Sequence, residues 1–258
     1  MLEIALIIAL LGLSVAGTWD LLTTEVPDEV PYLMIVLGIF VWYVNALTIG
    51  DFMPLFYSLL FGTLSLAIGL LMYKHGAWGG ADAWLLGATA FLLPMYNGNV
   101  FIFDFVFNLL IVGSVYMIVY SMFLGFLNPH VAGIFYKDMK GNAKFIVPPL
   151  FLAAGFAFYE PRFSIPLALI SGLIIFWRYA RVIEQHVFRR KIKSSELKPG
   201  DVTEDMIWRG ITSHEIAELR KKKKYVIIKE GVRFVPAFPL TLVVTLLYGN
   251  LLMLFVAI

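Results

Sequence analysis

Gly76-Ala77-Trp78-Gly79-Gly80-Ala81-Asp82-Ala83-Trp84-Leu85-Leu86 sets one acid at the mouth of an apolar segment, behind a glycine-rich approach. Glycine at 76, 79 and 80 lets backbone pass close to another chain and take φ values closed to other residues. An ionisable side chain at membrane depth is a functional candidate, because charge in hydrocarbon is costly. Asp82 also fits a helix start, since Asp caps helices and complements their dipole. A second acid favours the functional reading: Asp20 closes the first apolar segment.

The chain around this stretch is 60% hydrophobic and 15% charged, too apolar for a soluble domain. With ~20 apolar residues needed per span, hydrophobic segments fall near 2–19, 31–49, 53–73, 82–95, 102–126, 145–159, 163–180 and 235–257. The fold class is therefore an all-α polytopic membrane protein of six to eight transmembrane helices. The sixth segment is short, opens on Val147-Pro148-Pro149, and fits a re-entrant piece joined to the seventh by Glu160-Pro161-Arg162. The first segment lacks a basic n-region and carries Glu3, unlike a cleaved signal peptide. Cysteine is absent, which excludes a disulfide frame, a thiol nucleophile and a cysteine zinc site.

Net charge is +2, but its distribution carries the topology. With eight spans, 19 of the 20 Lys and Arg lie on one side and only Arg162 lies opposite. The positive-inside rule makes that side cytoplasmic and puts both termini outside. Asp20–Pro31, Trp78–Asp82 and the 181–234 region then share the cytoplasmic face. The fourth segment runs from Asp82 to Leu93 before Pro94, ~20 Å of helix against a ~30 Å core. It should sit sunk among its neighbours, with Asp82 below the surface.

Residues 1–180 are read as a transmembrane core, 181–234 as a small mixed α/β cytoplasmic insertion, and 235–258 as the final span. In the insertion, Arg181–Lys193 reads as a helical exit from the membrane and Lys198-Pro199-Gly200-Asp201 as a turn. Thr212 to Glu215 forms a capping box for a helix to Lys222, and Tyr225–Lys229 a strand. The run Arg220–Lys224 reads as a solvated face touching anionic headgroups rather than nucleic acid. In the turn after Asp20, Glu25, Asp28 and Glu29 suit helix caps singly. As a group they would attract a basic partner.

The chemistry follows by elimination. The histidines, His75, His130, His186 and His214, sit at segment ends or loops, and G-x-S-x-G, H-E-x-x-H, G-x-G-x-x-G and a P-loop are all absent. Paired carboxylates remain, acting without cofactor or metal. Two carboxyls held close cannot both ionise easily, so one activates water while its neutral partner donates a proton to the scissile carbonyl. Asp51, Asp104 and Glu160, on the other side, read as caps.

Asp20 at the end of span one and Gly79-Gly80-Ala81-Asp82 at the start of a short span four resemble the GxGD intramembrane aspartyl proteases. Within these the chain is similar to the archaeal preflagellin and type IV prepilin-like peptidases. The likeness covers residues 1–126, and the stretch Glu230-Gly231-Val232-Arg233-Phe234-Val235-Pro236 is similar to its archaeal counterpart. Ala81 departs from the motif's second Gly. Bacterial members usually carry a four-cysteine zinc domain and a methyltransferase activity, so a cysteine-free chain points to the archaeal, protease-only type.

The resemblance implies an endopeptidase that removes the short basic leader of preflagellins (archaellins) or pilin-like precursors at the cytoplasmic face. Asp20 and Asp82 would be catalytic, Gly79, Gly80 and Ala81 the substrate-approach loop, and Glu25, Asp28 and Glu29 a leader-binding mouth. The partners are the precursor and the lipid bilayer. The alternative is a proton-coupled transporter using the two aspartates as a relay, which would want polar groups in mid-span. A non-catalytic scaffold would need both acids to be caps.

Overall fold

A computed structural model gives the structure of residues 1–159, 161–203, 210–229 and 231–256, so Glu160 and Glu230 lie outside the described residues. In chain order the elements are α1 (Leu2–Thr23), α2 (Glu29–Ile49), α3 (Met53–Lys74), α4 (Gly80–Leu92), β1 (Met95–Tyr96), β2 (Asn99–Val100), α5 (Phe101–Leu127), α6 (His130–Gly141), α7 (Ala143–Tyr159) and α8 (Pro161–Ile183). They continue with β3 (Arg189–Lys193), β4 (Val202–Thr203), α9 (Ser213–Lys222), β5 (Tyr225–Lys229), α10 (Ala237–Tyr248) and α11 (Leu251–Val256).

The protein is a helical, multi-pass membrane protein. Among the described residues four helices, α1, α2, α3 and α5, are long and apolar enough to cross a bilayer, or five if the bent pair α6 and α7 makes one span. That is fewer than the six to eight read from the sequence, and α4, α7 and α10 are each too short to be counted singly. Helix α4 has 13 residues and α10 has 12. Segment 235–257 is not one helix, because it breaks at Gly249, φ 67°. Helices α6 and α7 meet at 79°.

The described chain forms two compact units, the first made of Met1–Tyr116, Gly210 and the described residues from Gly231 onward. This unit is organised around α4. Helix α1 turns Ala5, Ala9, Leu13, Ala16 and Asp20 inward, a stripe at helical spacing. Helix α3 buries Ser58, Gly62, Ser65 and Gly69, small residues that admit close backbone approach. A Cβ on Gly69 would lie 2.9 Å from Ala83 Cα, and one on Gly38 of α2 would lie 3.0 Å from the Phe91 carbonyl carbon. Helix α4 therefore lies backbone-close to both neighbours, and every residue from Leu85 to Leu92 is buried.

A helix that ends inside the membrane must place its last carbonyls. Pro94 offers no N–H, and side chains from other helices take over. The Ser58 hydroxyl donates to the Phe91 carbonyl at 2.6 Å, and the Trp42 indole N–H donates to that of Leu92 at 3.0 Å. Trp42→Phe strips that carbonyl of its donor in a buried place and should cost about 1–3 kcal/mol. A lowered thermal unfolding midpoint in detergent is the check.

Past Pro94 the chain reverses through a β1–β2 hairpin at Asn97-Gly98, both at positive φ as a type I′ turn requires. Buried Asn108 of α5 serves the break between α10 and α11. Its amide donates to Thr245 Oγ1 and the Gly249 carbonyl, and its oxygen accepts from the Leu251 N–H. Asp104, read as a cap, instead accepts from Asn250 at 2.8 Å. Asp51 does cap, accepting from the Met53 N–H.

The second unit comprises the described residues from Met117 through β4 and from Ile211 through β5. In it Arg178 of α8 forms a two-bond ion pair with Asp138 of α6. Its sheet has order β3-β5-β4, all antiparallel. The Thr212–Glu215 capping box opens α9 and the strand at Tyr225–Lys229 forms, both as the sequence predicts. The helical exit over Arg181–Lys193 does not. The helix ends at Ile183, residues 184–188 form a π turn, and Arg189–Lys193 is a strand paired with β5. Cross-strand pairing with Tyr225–Lys229, distant in the chain, overrides the local preference.

Candidate active site

Helices α1, α2 and α3 run antiparallel through short turns, so the end of α1 and the start of α4 lie at one end of the bundle. Asp20 occupies the last turn of α1 and is 5% exposed. Its Oδ2 accepts from the Val235 N–H at 3.1 Å, in the turn that enters α10. That turn comes close because of Gly17, one helical turn before Asp20, whose added Cβ would lie 3.1 Å from Pro236 Cα. The charge of Arg233 also acts on Asp20, and the Tyr116 hydroxyl, bonded to the Arg233 carbonyl at 2.7 Å, pins this stretch.

Asp82 sits in the first turn of α4 and is 9% exposed. Its Oδ2 accepts from the Gly79 N–H at 3.1 Å, so it caps its helix from the third helical position, with Gly79 and not Asp82 as the N-cap residue. Capping occupies only one oxygen, while Oδ1 is buried and has no hydrogen-bond partner among the described residues. Asp20 lies within electrostatic reach of Asp82. The two acids belong to different helices that meet in one buried cluster.

The approach loop departs from its reading in one respect. Gly76 alone of the three glycines has positive φ, 70°. Gly79 is required for space: an added Cβ would lie 2.9 Å from Asp82 Oδ2, whereas at Gly80 the nearest neighbour, the Tyr73 ring, is an ordinary 3.6 Å away. Gly79 is exposed, and Gly80 and Ala81 are half-buried. Gly79→Ala meets the mobile carboxylate rather than backbone, so it should turn Asp82 aside and lower turnover about tenfold or more. Little change in unfolding temperature is expected alongside the rate assay.

Glu25, Asp28 and Glu29 are exposed in the turn at the same end of the bundle. Asp28 occupies the N-cap position of α2 without a side-chain capping bond. Among the described residues no cluster of three metal-ligating side chains occurs. Reading the sequence for acids missed Arg233 and Val235, which reach Asp20 from more than two hundred residues away. Their signal was the 230–236 stretch ahead of the last apolar segment.

Fold and site define a class, a multi-pass helical membrane protein that buries two carboxyls at one end of its bundle. Residues 7–130, just under half of the chain and including both aspartates, match the type IV leader peptidase family, the group read from the sequence. The chain is similar to a preflagellin peptidase of Methanococcus voltae, 34% identical over 93 residues, which are 36% of this chain. The match spans 40% of that relative's length. No solved structure matches the chain.

Proposed function

We propose that the protein is a membrane aspartyl endopeptidase that removes the basic leader of preflagellin or type IV pilin-like precursors at the cytoplasmic face. The observation that carries this reading is the pair of buried aspartates on different helices, each with one oxygen held by a backbone N–H. Such a pair works with one carboxyl ionised and one neutral. The ionised carboxyl takes a proton from water as the water oxygen attacks the scissile carbonyl carbon, and the neutral carboxyl gives its proton to the carbonyl oxygen. Collapse of the resulting diol breaks the C–N bond, one proton passing to the leaving nitrogen, and the pair ends with a single proton as it began.

The cytoplasmic assignment rests on charge. Fourteen of the 20 Lys and Arg fall between 181 and 234, and cationic loops stay inside. Glu25, Asp28 and Glu29, exposed in the turn that follows α1, would offer an acidic mouth suited to a basic leader. Gly79 and Gly80 let an extended cleavage site come close to the acids by backbone pairing. Purified protein mixed with a pilin-like precursor should release the leader as one fragment, seen by mass spectrometry. Proton-coupled transport in sealed vesicles with the precursor left whole would replace this reading by that of a transporter.

A further inference from the structure

Strands β3 and β5 pair Arg189 with Lys229, Lys191 with Ile227 and Lys193 with Tyr225. Directly paired residues share a face of the sheet, so these six side chains form one surface. The intervening positions form the other face, where Val226 and Thr203 are buried. The first face is open: Tyr225 is 45% and Ile227 37% exposed. Cations surround both, with Lys191 Nζ 5.1 Å and Lys224 Nζ 5.9 Å from the Tyr225 ring centre. Among the described residues no acid pairs with Lys191, Lys193 or Lys224.

Two neighbouring features indicate what this face meets. Arg178 and Arg181 both stack on exposed Trp177 near the end of α8, and aromatic rings flanked by arginine mark the headgroup level of a bilayer. Strand β3 begins only five residues beyond α8, a reach of at most ~18 Å even if fully extended. Lys193 and Lys224 also border a cleft of about 370 Å³ lined by Ser194, Ser195, Arg220 and Lys223, room for a phosphate headgroup. The run Arg220–Lys224 is less available than its sequence suggests. The Arg220 guanidinium is spent on the carbonyls of Ser194, Ser195 and Leu197, and Lys222 pairs with Glu218.

We infer that the Tyr225–Ile227 face of this sheet, with Lys191, Lys193 and Lys229, is a docking surface for anionic phospholipid at the headgroup level that Trp177, Arg178 and Arg181 mark. The lysines are drawn to headgroup phosphates, and the two apolar side chains enter the headgroup layer.

The chain has no cysteine, so Ile227→Cys in the full-length protein takes a single environment-sensitive fluorophore. The labelled protein is placed in nanodiscs of phosphatidylcholine, with or without phosphatidylglycerol. Phosphatidylglycerol should shift the emission to the blue and expose the dye to a lipid-borne quencher, and high salt should reverse both. Lys191→Gln, Lys193→Gln and Lys229→Gln should each lower the docked fraction roughly fivefold. A dye at exposed Ala217 on α9 should not respond. A dye at 227 that stays in water in both discs, or that enters both equally regardless of salt, overturns the inference. So does a salt-dependent response to soluble RNA that phosphatidylglycerol fails to produce.

Discussion

Asp82→Asn is expected to lower leader cleavage about 10³-fold, within the usual range for loss of a general acid or base, while the protein stays folded and membrane-inserted. Asn keeps the shape of Asp and still offers an oxygen to the Gly79 N–H, so the capping contact that Asp82 makes in the structure survives. It cannot carry or share the proton. The substitution therefore separates the two roles open to this residue: a cap would tolerate it, and half of a catalytic pair would not. Asp20→Asn should behave alike. The double variant should be little worse than either single one, because two groups acting as a unit do not lose activity additively. Rates of leader release, beside thermal unfolding of each variant, decide the matter.

Gly69→Leu should be the most damaging change away from the acids. The first carbon of the new side chain would lie 2.9 Å from Ala83 Cα and 3.0 Å from its carbonyl oxygen, and neither backbone atom can swing aside. Helix α4 would have to retreat from α3, and Ala83 is the neighbour of Asp82. Overpacking of this kind costs about 1–3 kcal/mol, and displacing a reacting group by an ångström costs about 10²-fold in rate. Both should appear, one in the unfolding midpoint and the other in kcat/KM. Gly155→Leu on α7, where nothing among the described residues lies within 4 Å of the added carbon, is the control and should change neither.

The sequence exposed those parts of the protein that local chemistry determines. The long apolar stretches became helices, the Thr212–Glu215 capping box opened α9, and Pro94 ended α4 before it could span. Asp20 and Asp82 stood out because each is an acid at the edge of an apolar run. What stayed hidden depends on partners distant in the chain. The Val235 N–H that holds Asp20 is 215 residues away, and the strand at Arg189–Lys193 exists only because β5 pairs with it. Fewer spans stand among the described residues than the sequence suggested, for a related reason. Apolar composition reports burial, and α4 is buried by protein on all sides rather than by lipid along its length. Gly38, Gly62 and Gly69 stood in plain view, but only the packing shows that they seat α4 and with it Asp82.

The central claim, that Asp20 and Asp82 share one site at one end of the bundle, can be tested with thiols in a chain that has none of its own. Asp20→Cys and Asp82→Cys, combined in one full-length protein in sealed vesicles, are treated with a short bifunctional reagent that fluoresces only when both of its arms react. One bridged, fluorescent product joining residues 20 and 82 is expected. Two thiols that react singly and never bridge, or that answer to a membrane-impermeant reagent from opposite faces, would contradict it.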